Sequence, residues 1–212
     1  MDDRLRLYSQ REVQELYKLG RKIYGNPVPM FHPRSRTIPP EDALRGLIAE
    51  NAVASMINLL TLDRDNLYVF HSVGISDDTD GETDHILYLG NTLLIVETKN
   101  RSNLESVYIA KDANVYAKRK GQRIRLNSNG LVKKVAFYQE MFPELKVEGI
   151  LVVHFDTQKT GSEYQGCSVI SLSKFIGELS NKVANIEPIA EASPWPIIKN
   201  FAPLCIRNEL IP

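Results

Sequence analysis

Cysteine is scarce in this chain, with two residues among 212. Neither Cys167 nor Cys205 sits in a CxxC pair, so a disulfide framework is excluded and two reduced thiols are expected. Long apolar runs are missing as well, since none approaches the ~18–20 residues that a bilayer-spanning helix requires. No membrane is therefore expected as a partner. The opening string MDDRLRLYSQRE contains no apolar stretch, so the expectation is a chain without a secretory signal and a cytoplasmic location. A GxxxxGK[ST] string is absent, which removes a nucleotide-driven motor from consideration. Internal repeats and low-complexity segments are absent too. Net charge is zero, with 26 basic and 26 acidic residues, and so points to no partner by itself.

What is present is an ordinary soluble composition, 43 % apolar and 25 % charged, in a chain long enough for one domain with a proper core. The charge is unevenly spread. Residues 41–98 hold eleven acidic and two basic side chains, whereas residues 99–134 hold ten basic and two acidic ones. An acidic block followed at once by a basic block suits a site that holds cations beside a polyanion.

Periodicity supplies the elements. Ser9 with Glu12 reads as a capping box, and Val13, Leu16, Tyr17, Ile23 and Tyr24 form an apolar stripe that predicts a helix ending at Gly25. Asn26 to Pro40 is a proline-rich connection. A longer helix is expected from about Glu41 to Leu60, then strands over Leu67–Ile75, Thr83–Leu89 and Thr92–Thr98. Val107–Leu126 reads as an irregular hairpin with Lys118–Lys120 and Gly121 near its turn. A helix over Gly130–Phe142, strands over Val147–Phe155 and Cys167–Ser171, and a short helix over Leu172–Leu179 complete the pattern; the proline-containing tail is hard to place. This order implies one α/β domain with a mixed sheet.

The segment GETDHILYLGNTLLIVETKN, Gly81 to Asn100, carries the chemistry. Gly90-Asn91 suits a two-residue primed hairpin turn. Counting outward from that turn, Asp84 falls directly opposite Glu97, and Glu82 opposite Lys99. Opposed residues on antiparallel strands point to one face with Cβ atoms about 4.5–5.5 Å apart. Alternation puts Ile86, Tyr88, Leu93 and Ile95 on the same face, so two carboxylates meet at the end of an apolar strand pair. Like charges so placed destabilise a sheet unless something neutralises them. A bound Mg²⁺ or Mn²⁺ would do so, because hard cations prefer oxygen ligands. Lys99 could orient a water or stabilise charge growing on a phosphorane-like transition state, and the parts fit metal-assisted phosphodiester hydrolysis. A plain cross-strand ion pair between Glu82 and Lys99 is the competing reading.

Other candidates are of two kinds. The run KRKGQRIR, with Lys118, Arg119, Lys120, Arg123 and Arg125, follows Tyr116 and could grip a phosphate backbone, or could be a solvated hairpin tip. Lys133 and Lys134 stand at a helix start, where a cation is disfavoured unless an anion is near. His85 should point away from Asp84 and pack, and His154 reads as an interior histidine. His32 and His71 lack partners at metal-ligand spacing, and Asp77, Asp78 and Asp80 read as a solvated loop.

Asp84 followed by Glu97-Thr98-Lys99 resembles the D…ExK signature of the PD-(D/E)xK nuclease superfamily. More narrowly, GETDHIL with LLIVETKN resembles the nuclease-related domain, NERD, over roughly residues 42–179. The resemblance implies a restriction-endonuclease-like core, a mixed β-sheet flanked by helices. It implies that Asp84, Glu97 and the Thr98 carbonyl bind metal, that Glu50 in the preceding helix completes the site and that Lys99 assists catalysis. Thr83 stands where the superfamily name has proline, and the string Asn129-Gly130-Leu131-Val132-Lys133 has lysine where members often carry glutamine in an NPxxQ-like run; Gln139, farther along that helix, is a possible substitute. On this reading residues 1–40 are a helix and connection, 41–181 the nuclease-like domain and 182–212 a tail. The expected activity is a Mg²⁺- or Mn²⁺-dependent nuclease acting on DNA, with RNA, an endonuclease mode and homo-oligomerisation left open. The alternatives are a catalytically silent nucleic-acid-binding module, in which Lys118, Arg119, Lys120, Arg123, Arg125 and Lys133 hold phosphates, and a structural or assembly protein.

Overall fold

In the computed structural model of the chain, the described residues are 5–26, 40–74, 82–100, 104–127, 130–153, 159–160, 163–186 and 193–208. In chain order they form β1 (Leu5–Leu7), α1 (Gln10–Lys18), β2 (Ile23–Tyr24), α2 (Pro40–Leu62), β3 (Leu67–Val73), β4 (Thr83–Leu89) and β5 (Thr92–Lys99). Then come β6 (Ser106–Ile109), β7 (Val115–Arg119), β8 (Gln122–Asn127), α3 (Gly130–Met141), β9 (Lys146–Val153), β10 (Lys159–Thr160) and β11 (Cys167–Ser171). The last are α4 (Leu172–Ala184), α5 (Trp195–Phe201), a 3₁₀ turn over Ala202–Leu204 and β12 (Ile206–Asn208). Among the described residues no helix is long and apolar enough to cross a membrane.

Gly90 turns the β4–β5 hairpin with a φ of 59°, the left-handed value that a primed turn with glycine first requires. Its register is the one counted from the sequence: Tyr88 faces Leu93, Ile86 faces Ile95 and His85 faces Val96. Around this hairpin a six-stranded mixed sheet assembles in the order β11-β9-β5-β4-β3-β2. β9 runs parallel to β5 and β11 parallel to β9, while β3 is antiparallel to β4. Alternation gives the sheet two apolar faces. One, with Leu87, Leu94, Val96, Ile150 and Val152, is covered by Val53 and Ile57 of α2 and by Phe175, Leu179 and Val183 of α4. The other, with Phe70, Ile86, Ile95 and Leu151, is covered by Leu131, Val135 and Tyr138 of α3 and by Phe201. Helices on both faces of a mixed sheet are the nuclease-like core expected from the sequence.

Four expectations need correction. α1 begins with the Ser9–Glu12 capping box but stops at Lys18; Gly20, at a φ of 79°, breaks it, and Ile23 and Tyr24 form a strand parallel to β3. There Tyr24 stacks on Phe70, so burial in the sheet overrides helical spacing. Residues 106–127 form three antiparallel strands rather than one hairpin, and with β10 they make a separate four-stranded sheet in the order β10-β6-β7-β8. α4 extends to Ala184 because Val183 continues the buried face of Leu172, Phe175 and Leu179. The tail also has a place. Phe201 contacts the rings of Phe70, Tyr138 and Phe142, and β12 pairs antiparallel with β1.

Gly25 lies where two backbones nearly touch. Its φ is 75°, and a Cβ there would sit 2.3 Å from the carbonyl oxygen of His71, whereas one at Gly20 would meet nothing within 4 Å. Gly20→Ala is expected to lose only the left-handed strain, about 1 kcal/mol, and Gly25→Ala at least about 2 kcal/mol more, because backbone must move. Urea denaturation of the two variants measures that difference; equal losses would refute the close approach.

Candidate functional site

The hairpin ladder changes character at its open end. The last regular pair of β4 and β5 is His85 with Val96. One step beyond, side chains take over from backbone. The N–H of Thr98 donates to Asp84 Oδ2 at 2.7 Å, and the N–H of Asp84 donates to Glu97 Oε1 at 3.4 Å. On the other side of β4, pairing with β3 skips from His71–His85 to Val73–Thr83, and the intervening Ser72 has a φ of 52°. Asp84 is thus released from regular pairing on both sides, the local irregularity that often re-aims a side chain beside an active site. Each carboxylate is oriented by the other's strand, as the opposition of Asp84 and Glu97 required.

A third element closes the site. Lys134 of α3 reaches Glu97 Oε1 at 2.6 Å and the carbonyl oxygen of Glu82 at 2.7 Å. The two side chains of this pair are only 5 % and 7 % exposed. One turn later Tyr138 places its hydroxyl 3.2 Å from Thr83 Oγ1, so α3 holds the two residues that precede Asp84. In sequence Lys134 stands only as a helix-start cation in need of a nearby anion, and nothing there names Glu97 as that anion. A signal existed, however: Leu131, Lys134, Val135 and Tyr138 share the i, i+3, i+4, i+7 stripe of a buried helix face. A lysine inside such a stripe demands a buried anion.

The electrostatics are those of a crowded, desolvated site. Burial raises the Glu97 pKa and the neighbouring Asp84 adds to this, while Lys134 and Lys99 oppose it. Glu82 is pushed up to about 7, chiefly by burial and further by Asp84 and Glu97, against the nearby Ser72 hydroxyl and Lys134. Its Oε1 is buried with no group donating to it among the described residues, and so is Thr98 Oγ1. Lys99 lies half-buried at the end of β5, close enough for its charge to act on Glu97.

The remaining predicted residues fall in three places. Glu50 is half-buried on α2, which packs against β5; the Asn100 side-chain amide donates to the carbonyl of Arg45, tying the start of that helix to the end of β5. Among the described residues no three His, Cys, Asp or Glu side chains close into a metal-holding cluster. Asp84 and Glu97 are the joined pair. Lys118, Arg119, Lys120, Arg123, Arg125 and Lys133 are all exposed. His85 points to the opposite face, as alternation requires, and its Nδ1 lies 2.9 Å from His71 Nδ1. His71 Nε2 lies 2.9 Å from Asn58 Oδ1. Desolvation lowers the His85 pKa to about 3 and keeps His71 neutral as well. His32, Asp77, Asp78, Asp80 and His154 lie outside the described residues.

Two neighbouring hard carboxylates are a chemically suitable donor pair for a divalent cation. Both acids retain oxygens, Asp84 Oδ1 and Glu97 Oε2, to which no hydrogen bond is directed among the described residues. Comparison with known proteins identifies a family. The family model described as nuclease-related domain, NERD, matches residues 45–154, just over half of the chain and including Asp84, Glu97, Lys99 and Lys134. No curated protein and no solved structure matches.

Two outcomes follow from the burial. Lys134→Met should lower stability by about 3–5 kcal/mol, since it leaves Glu97 charged and unpaired, and Lys134→Met with Glu97→Leu should recover most of that loss. Chemical denaturation of the single and double variants tests this, and a double variant no more stable than the single would refute the pairing. Glu82 holds its proton in the folded chain at pH values where the unfolded chain has released it. Its contribution is therefore complete below the ordinary value of 4.5, declines as pH rises and is gone above about 7, a change on the order of 3 kcal/mol at most. Glu82→Gln should flatten the stability profile across that window in denaturation curves taken at stepped pH.

Proposed function

The chain belongs to the nuclease-related domain family, and from that premise we propose that it is a divalent-metal-dependent nuclease hydrolysing phosphodiester bonds in DNA. The observation that carries this reading is the reciprocal anchoring of Asp84 and Glu97 beside Lys99 and Lys134 at one end of the sheet. Asp84, Glu97 and the Thr98 carbonyl would hold Mg²⁺ or Mn²⁺, with Glu50 as a further ligand. When bound, the ion would acidify a water and polarise the scissile phosphate.

The protein's own groups supply the rest. Backbone N–H donors hold both carboxylates in fixed directions, which removes reorganisation from the reaction. Lys134 favours the ionised form of Glu97 against its burial and the neighbouring Asp84. Lys99, at the rim of the site, is suited to orient the attacking water and to stabilise the negative charge that accumulates as the P–O bond breaks. The acidic block before the site and the basic block after it match a cation and a polyanion in turn. A second reading, a catalytically silent nucleic-acid-binding module, is favoured by one observation: the ammonium of Lys134 already neutralises Glu97.

Incubating plasmid and single-stranded DNA with and without Mn²⁺ separates these readings. Metal-dependent cutting should occur and fall by about 10²-fold or more in Glu97→Ala and in Lys99→Ala, the loss typical of a removed transition-state contact. Retardation of DNA without cutting would favour the silent module, and neither behaviour would leave a structural role.

A further inference from the structure

The sheet β10-β6-β7-β8 buries one face, with Val107, Ile109, Val115 and Ala117 in the main core. Its other face has no acidic residue among the alternating positions of β6, β7 and β8: Ser106 and Tyr108, then Tyr116 and Lys118, then Arg123 and Arg125. Cross-strand pairing arranges these six in two rows, Tyr108–Tyr116–Arg125 and Ser106–Lys118–Arg123. The rings of Tyr108 and Tyr116 stack with centroids 6.1 Å apart and planes 25° apart. The guanidinium of Arg123 lies 3.7 Å from the Tyr116 centroid. Tyr116 is held in place by its hydroxyl, which donates to Asp112 Oδ2 at 2.8 Å, and Arg125 donates to Asn114 Oδ1 at 2.6 Å. Lys118, Arg123 and Arg125 remain exposed.

We propose that this face binds single-stranded nucleic acid, with an unpaired base stacked on the Tyr108–Tyr116–Arg123 layer and phosphates held by Lys118, Arg125 and the turn residues Arg119 and Lys120. The inference rests on the nucleic-acid reading above and names its substrate class. Cations alone hold a duplex and a single strand alike. Aromatic rings and guanidinium planes fixed on a sheet discriminate, because only an unpaired base offers a free face to stack on. The pinned hydroxyl and the two stacked planes are ordered before any ligand arrives, which lowers the entropy lost on binding. The face also lies close to the proposed catalytic end. β5 ends at Lys99 and β6 begins at Ser106, so chain geometry limits the separation of these residues to about 25 Å. A strand lying on this face can therefore reach Asp84 and Glu97.

Fluorescence anisotropy of the unaltered full chain in EDTA provides the test, because binding is then read without metal-dependent cutting. The probes are a labelled oligo(dT) and a duplex of equal length. Oligo(dT) should bind at least about tenfold more tightly than the duplex, and Tyr108→Leu with Tyr116→Leu should lower oligo(dT) affinity at least about tenfold while leaving duplex affinity unchanged. Lys118→Ala with Arg125→Ala, which leaves the Tyr108–Tyr116–Arg123 layer intact, should reduce the slope of log affinity against log salt for oligo(dT) by about 1.4. Equal affinity for both probes, or indifference to the tyrosine pair in a variant that retains its melting temperature, would overturn the proposal. Single-strand binding by a chain that never cuts DNA would leave it standing and remove the nuclease reading. Cutting without any dependence on the tyrosines would do the reverse.

Discussion

Two carboxylates can share the end of an apolar hairpin only if a cation opposes their charge and each has a donor to one of its oxygens. Here both conditions are met by one arrangement. Asp84 and Glu97 replace the last backbone bonds between β4 and β5 with bonds that their carboxylates accept from N–H groups, and Lys134 brings a positive charge against Glu97. The site is thus the stitch that holds the strands where regular pairing ends. Its geometry follows from the turn: a loop longer or shorter by one residue at Gly90-Asn91 would send one acid to the α2 side of the sheet.

The Lys134–Glu97 pair is a poor device for stability taken alone, since desolvating two charges cancels much of their attraction. Its value is positional. An ammonium that must find Glu97 and the Glu82 carbonyl fixes the rotation of α3 about its axis, and Tyr138 repeats the constraint one turn on. The helix cannot slide without leaving a buried charge unpaired. In this way the core face of α3, the aromatic cluster around Phe201 and the orientation of Glu97 are set together.

The parts legible in sequence were those governed by local rules. A Gly-Asn turn dictates hairpin register, alternation dictates that Asp84 and Glu97 share a face while His85 takes the other, and the Ser9–Glu12 box starts a helix. What escaped was decided by distant partners. Tyr24 has helical spacing with Val13 and Tyr17, yet its place is set by stacking on Phe70 and by pairing with β3. The tail around Phe201 has no periodicity, and its position depends on rings from β3 and α3. Lys133 and Lys134 share one reading, a helix-start cation in need of an anion; only the phase of Leu131, Val135 and Tyr138 separates the two. The pairing of Asp84 with Glu97 was readable, and the cation facing Glu97 was not.

The connection from β5 to β9 is a parallel crossover, a role usually filled by one helix. In this chain it carries β6, β7, β8 and then α3. The tyrosine–arginine face and the lysine that neutralises Glu97 are therefore cargo of a single loop, inserted between two adjacent strands of the central sheet. Exchanging that loop would replace both at once and leave the turn, the register and the acid pair as they are. The connection is a cassette, and the hairpin is the socket into which it plugs.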